Sequence, residues 1–394
     1  MSQVVNMAKR IEELERAVAP FENNEMMARK LPESESQQSA PMDTSGASAI
    51  DQRNGSKTSV IQQFSPSFQS TSAVQEPHHN DSDEEILPPV HDPNLPPMTT
   101  TQLALWHSRA VEACSLQQRL PSEKIDHLFK TYWTWVFPAF LFVSRPHFLT
   151  DTSVGGQYSS PLLCSVICLQ ATRFTDHILG KELLSHVRFL LGQEIHRGPS
   201  IPLVQALLQL SARELGNGSL HQAWLYSGMA FRLATDMGIF TRPPKSASDA
   251  TENHVRGQLA WSCYLWDKAV SLYLGRVPSL PERPDFEPVI LDDQIETEIW
   301  APYVGGSSDL ANNSNSWHPL QTYGITCFSN FCKLGTIIHD ILATMYTKKP
   351  NSDMLAFVQE TRHRLENWRS ETPAQLKIQP ASQICPPAHI ISQK

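Results

Sequence analysis

Between His221 and Pro288 the chain reads HQAWLYSGMAFRLATDMGIF and then VRGQLAWSCYLWDKAVSLYLGRVPSLPERPDFEP, two aromatic-rich helical patterns closed by a Gly-Arg-x-Pro stop. In the second, Val255, Leu259, Cys263, Trp266, Val270 and Tyr273 recur at the spacing of one helical face, while Arg256, Ser262 and Lys268 fall elsewhere. A face carrying that much apolar volume has to be covered by other helices. Gly275 lies just past the last periodic turn and Pro278 follows it, the combination that stops a helix with a left-handed residue and then a missing N–H. In the first pattern, Ala223, Ser227, Ala230 and Ala234 lie beside Trp224 and Phe231, so a neighbouring helix can approach closely while the aromatics supply buried area. Gly238 ends it. Upstream, Pro202 opens an apolar helix through Leu203, Ala206, Leu207, Leu210 and Ala212, and Gly216-Asn217-Gly218 turns the chain back. Antiparallel helices in succession are the expected result.

The same pattern extends in both directions. Leu103, Trp106, Ala110, Ala113 and Leu116 to Leu120 predict an initial helix, and Ser122, after Pro121, is placed to cap the next, whose Ile125, Leu128, Phe129, Tyr132, Trp135 and Val136 share a side until Pro138 breaks it. Ser160 followed by Pro161 predicts an N-cap and first helical position for PLLCSVICLQATRF. Further helices are expected at Lys181 to Gly192, Gly324 to Tyr346 and Met354 to Ser370, with a long loop from Glu282 to His318. No strand-like alternation of useful length competes, so the fold class is all-α.

These residues also carry a family resemblance. The order AW-Y-G-A-R-A-D-G from Ala223 to Gly238, then W-D-S-LGR-P from Trp261 to Pro278, resembles the middle homology domain of fungal zinc-cluster transcription factors. LFVSRPHFL (Leu141 to Leu149) is similar to that family's opening element, and EIWAPY (Glu298 to Tyr303) to its element after the Gly-Arg-x-Pro turn. The resemblance covers roughly residues 120 to 390, and the nitrate-assimilation regulators are the subgroup it is most similar to. It implies a nuclear protein of RNA polymerase II transcription regulation, in which this domain restrains or releases activation through partners or metabolites.

The family's DNA reader is an N-terminal module whose cysteines, in Cys-x2-Cys-x6-Cys halves, hold zinc. Here Cys114, Cys164, Cys168, Cys263, Cys327, Cys332 and Cys385 include no Cys-x2-Cys pair, and thiolate sites need ligands presented by tight turns. The cysteines are expected to be buried, reduced and structural, so zinc and direct DNA contact are implied for the family module alone. A formal net charge of −8 agrees, since it opposes binding to a phosphate backbone. The chain is expected to start within the linker that follows that module, because Val4, Met7, Ile11, Leu14, Val18 and Phe21 occupy successive heptad positions of a short dimerising coiled coil. LENWRSETPAQLKIQP and PPAHI resemble the element leading into further helices, so the domain is expected to be incomplete at its C-terminal end.

The expected organisation is a coiled-coil segment at 1–21, a disordered linker at 22–98 and the helical regulatory domain at 99–394. Ser, Gln, Pro, Asn and acidic residues dominate the linker, which cannot bury enough surface to offset its ordering entropy. Its acidic run around Ile86 and Leu87 has the composition of an interaction segment, with Ser82 as a phosphorylation position. No stretch approaches the length a membrane span requires.

The residues admit three classes of function. As a regulatory domain, the chain would use Trp224, Arg232, Asp236, Trp261, Asp267, Gly275, Arg276 and Pro278 structurally, the charged members pairing across the helix junction, and a groove at Trp261, Trp266 and Tyr273 would hold a small-molecule inducer. Its partners would be a second copy or a related regulator, and the transcription machinery. Alternatively, the chain is a helical scaffold or dominant-negative partner that dimerises with a full-length regulator. A helical enzyme is the third reading, but fifteen histidines assemble no recognisable catalytic motif, and His339 and His363 stand singly on helices.

Overall fold

The computed structural model describes residues 98–241, 250–286, 294–303, 320–346, 354–378 and 386–392. The heptad residues Val4 to Phe21, the linker up to residue 97 and Cys385 lie outside them. Helix α1 (Thr100–Gln118) begins in a capping box: the Thr99 hydroxyl accepts from the Gln102 N–H at 3.3 Å, and the Gln102 carboxamide accepts from the Thr99 N–H at 2.8 Å. Helices α2 (Ser122–Trp135), α3 (Phe137–Phe140), α4 (Arg145–Val154) and α5 (Pro161–Thr175) follow. The Ser160 cap holds as expected, its hydroxyl 3.1 Å from the Leu163 N–H. The Ser122 cap does not: Pro121 takes the extended N-cap position, so Ser122 is already inside the helix and its hydroxyl turns to Ser115.

Next come α6 (His177–Glu194), capped by Asp176, then α7 (Ile201–Gly216), capped by Ser200, and α8 (Leu220–Asp236). Ala223, Ser227, Ala230 and Ala234 are all buried, and α8 lies close enough to α7 for the Ser211 hydroxyl to reach the Ala223 carbonyl at 2.7 Å. A larger side chain at Ala223 or Ser227 would part the two helices.

Helix α9 (Ala250–Leu274) is the centre of the domain. Val255, Leu259, Cys263, Trp266 and Val270 are buried as the periodicity predicts, but so are Gln258, Ser262, Asp267, Lys268 and Ser271. The one-faced reading is therefore corrected to burial on all sides, and Tyr273, assigned to the buried face, is 66% exposed. The polar residues of α9 are stitched to neighbouring backbone. Gln258 donates to the Leu141 and Val143 carbonyls at 2.8 and 3.0 Å, and Ser262 to Leu141 at 3.0 Å. Leu141 itself sits at φ +47°, which turns this stretch of carbonyls toward α9. The LFVS segment and α9 are thus two halves of one hydrogen-bonded junction.

Gly275 ends α9 at φ +63°, with its own N–H on the Leu272 carbonyl and the Arg276 N–H on the Ser271 carbonyl, the paired bonds of a Schellman stop. Replacing Gly275 with alanine forces a side chain into that left-handed conformation, an expected loss of about 1–2 kcal/mol by thermal unfolding.

Beyond α9, α10 (Gln294–Thr297) leads into β1 (Ile299–Trp300), which pairs antiparallel with β2 (Leu320–Gln321), Trp300 opposite Leu320. Within the expected 282–318 loop, the described part therefore holds ordered structure. Helices α11 (Gly324–Tyr346), α12 (Met354–Glu371) and α13 (Ala388–Ile391) complete the domain. α13 is clipped down by His389, whose Nε2 lies 2.7 Å from the Thr322 carbonyl. No helix among the described residues is long and apolar enough to cross a membrane.

Candidate functional site

A cleft of about 830 Å³ opens between α1, α2, the start of α4 and the strap formed by Ile295–Tyr303 with Thr322 and Gly324. Trp133 and Trp300 stand in its wall, and Trp135 packs against Trp300. Trp300 meets Trp135 edge to face with ring centroids 5.5 Å apart and donates to the Thr134 carbonyl at 3.2 Å. Trp135 in turn donates to the Tyr303 carbonyl at 2.8 Å, and His127 Nδ1 lies 3.0 Å from the Tyr303 hydroxyl. Trp133 fills the interior against Phe137 and Phe148. The strap's far end is held by Glu296, whose carboxylate accepts from the Ile325 and Thr326 N–H groups at 3.0 Å and so caps α11.

Two charge clusters line the cleft. Asp126 bridges Lys130 at 2.6 Å and His107 at 3.0 Å. Burial works to raise the Asp126 pKa, but the hydrogen bonds from Lys130 and His107 prevail and hold it below the usual carboxylate range. His107 moves down because desolvation outweighs the pull of Asp126, so near neutral pH it faces the cleft uncharged. Opposite, Arg145 is 6% exposed and donates to the half-exposed Glu298 at 2.9 Å, with its guanidinium 5.7 Å from the Phe137 ring centroid. This pair ties the strap to α4. Removing Glu298 leaves the Arg145 charge without that carboxylate, so Glu298→Ala is expected to cost about 1–2 kcal/mol, half-exposure discounting the buried-pair figure. It should also raise amide exchange at Thr322, whose N–H bonds the Glu298 carbonyl at 2.9 Å.

The residues singled out from sequence divide between several places. Trp261 and Trp266 are buried on α9, donating to the Phe286 carbonyl and the Ser211 hydroxyl respectively. Trp266 and Tyr273 line one smaller cavity, and Trp261 does not, so the three form no common groove. The expected pairing among charged motif residues is also corrected. Asp267 pairs with the adjacent Lys268 at 2.7 Å and accepts from the Ser279 and Leu280 N–H groups at 2.8 and 2.9 Å. Arg276 instead lies over Trp224, 4.9 Å from the ring centroid. Arg232 and Asp236 face outward from α8 and join no ion pair among the described residues. Pro278 lies in the turn that Asp267 secures, following Gly275 and Arg276.

The six described cysteines are buried and free, and Cys164, in contact with Cys114 and buried, keeps its thiol well above the ordinary pKa. No group of three or more His, Cys, Asp or Glu side chains among the described residues is placed to hold a metal, so they do not fit a zinc cluster.

Sequence reasoning did not single out the cleft's polar residues. His107 and Lys130 are ordinary helical positions in the pattern, whereas Arg145, Glu298, Trp300 and Tyr303 stand inside LFVSRPHFL and EIWAPY, motifs far apart in the chain that meet across this cleft.

The arrangement defines a mostly helical domain with a strapped, ligand-sized cleft. The fungal specific transcription factor domain matches residues 129–370, and the chain belongs to that family. It is 30% identical over 283 residues to the nitrogen assimilation transcription factor nit-4 of Neurospora crassa, covering 64% of this chain and 25% of that protein. It is 29% identical over 274 residues to the nitrogen assimilation transcription factor nirA of Emericella nidulans, covering 64% and 30%. An uncharacterized transcriptional regulatory protein of Schizosaccharomyces pombe is 26% identical over 282 residues, covering 67% and 44%. The chain thus spans between a quarter and less than half the length of these relatives. No solved structure matches it.

Proposed function

We propose that this chain supplies the regulatory domain of a fungal transcription regulator, holding or releasing activation according to what occupies the strapped cleft. The observation that carries this reading is that the two motifs flanking the cleft, around Arg145 and Glu298, lie inside the matched segment and are joined by one ion pair. A metabolite entering the cleft would compete with that pair and with the Trp135–Trp300 contact, converting occupancy into strap position. In this reading the protein works in the nucleus, reaches DNA through the family's zinc-cluster module and not its own acidic surface, pairs with a second copy or a related regulator, and engages the transcription machinery.

The test is to fuse the chain to an unrelated DNA-binding module and follow a reporter. Trp300→Ala removes the strap's main anchor and is expected to change reporter output severalfold relative to the unaltered fusion. If both fusions gave the output of the DNA-binding module alone, the reading would fall.

A further inference from the structure

A second cavity, of about 430 Å³, shares Phe137 with the cleft and lies within the size range of small-molecule sites. Its walls are mainly aromatic: Tyr132, Trp135, Phe140, Phe142, Trp266 and Tyr273 line it together with Phe137. Trp266 stands edge-on to Phe140 at 5.0 Å, and Phe140 stacks on Phe142. Arg173 is the one formally charged side chain in the lining, and no carboxylate accompanies it. It makes no ion pair among the described residues, and its guanidinium lies beside Gly216 and 5.9 Å from the Phe174 ring centroid. Burial opposes its charge, and Arg213 adds a second cation nearby.

The cavity also holds buried polar groups that the fold leaves unsatisfied. Gln209 is fully buried, and neither its amide oxygen nor its amide nitrogen has a partner. Gln170, 1% exposed, spends its NH₂ on the Gln209 backbone carbonyl, while its own oxygen has none. Buried polar atoms are nearly always hydrogen-bonded, so two such amides beside an uncompensated guanidinium mark a place prepared for a polar ligand group. Within the lining itself Arg173 is the one charge and no carboxylate faces it, Arg213 standing outside the lining with Glu214 beside it, so the cavity favours a monoanion. A guanidinium matches the two oxygens of a carboxylate, and a wall of aromatic faces and edges matches a flat ring.

We propose that this cavity binds a small aromatic carboxylate, its ring among the aromatic walls, its carboxylate on Arg173, and the Gln209 amide supplying a further hydrogen bond. This goes beyond the regulatory reading above, which rests on the strapped cleft, by assigning a ligand class to a second cavity.

Benzoate is the probe, titrated into the full chain and followed by calorimetry and by intrinsic tryptophan fluorescence, to which Trp135 and Trp266 in the cavity wall contribute. Benzamide keeps the shape without the charge, and cyclohexanecarboxylate keeps the charge without the flat ring. Saturable benzoate binding is expected, with both analogues weaker by about tenfold or more. Arg173→Gln is expected to weaken benzoate by at least about tenfold, while Arg188→Gln, on the exposed side of α6, leaves it unchanged. Absence of saturation by about 10 mM benzoate, or equal binding of benzamide, would overturn the proposal. If Arg173→Gln failed to fold, the three-ligand comparison on the unaltered chain would still decide it. A chain that drives the reporter but binds no benzoate loses this inference alone, whereas one that binds benzoate but leaves the reporter silent loses the regulatory reading.

Discussion

Asp267→Ala is expected to cost the domain about 3–5 kcal/mol, enough to abolish cooperative urea unfolding in a marginally stable chain. The carboxylate is fully buried and has three partners: the Ser279 N–H, the Leu280 N–H and the Lys268 ammonium. Lys268, 1% exposed, also donates to the Leu280 carbonyl at 2.5 Å and lies 4.3 Å from the Tyr264 ring centroid. Together these bonds fold the segment after Gly275 back against α9. Truncating Asp267 strands a buried ammonium, lowered in pKa by desolvation, and two N–H groups inside the core. The companion double variant Asp267→Leu/Lys268→Leu removes the stranded charge as well, and should recover a substantial part of the loss. Equal destabilisation of the single and double variants would show that the two backbone N–H groups, and not the charge pair, carry the effect.

The helical framework was legible because its signals are local. Gly275, Gly238 and the Ser160-Pro161 cap are decided by backbone conformations within a few residues, and α11 has the predicted limits Gly324–Tyr346. The character of α9 was not legible, because periodicity distinguishes apolar from polar positions but not polar residues in water from those satisfied by distant carbonyls. Ser262 and Gln258 look solvent-facing until Leu141 and Val143 are brought to them from more than a hundred residues upstream. The same limit governs the site. Asp267 and Arg276 were recognised as important, yet their true partners, the Ser279 and Leu280 N–H groups and the Trp224 ring, depend on how the turn folds back. Tyr273 fits the face arithmetically, but it lies two residues before the helix stop, where covering helices have run out. The cleft was further from view, since it exists only where α1, α2, α4 and the strap converge.

Acid should weaken this domain before its carboxylates titrate, because it buries histidines in the neutral form. Burial pushes His254 down to about 4 from an ordinary 6.5, and His107 and His389 move in the same direction for the same leading reason. Below pH 6.5 the unfolded chain takes up a proton at His254 that the folded chain refuses until about pH 4, so stability falls as pH falls through that window. For His254 alone the loss approaches roughly 3 kcal/mol by pH 4, and it is absent above pH 7. Urea unfolding of the chain between pH 7.5 and 4 should therefore show stability declining from about pH 6.5 downward, before most surface carboxylates begin to protonate. His254→Phe supplies an aromatic ring that cannot charge, and should flatten the decline by the His254 share while leaving the His107 and His389 contributions. A variant whose stability fell with the same slope as the unaltered chain would mean that His254 gains its proton while still folded.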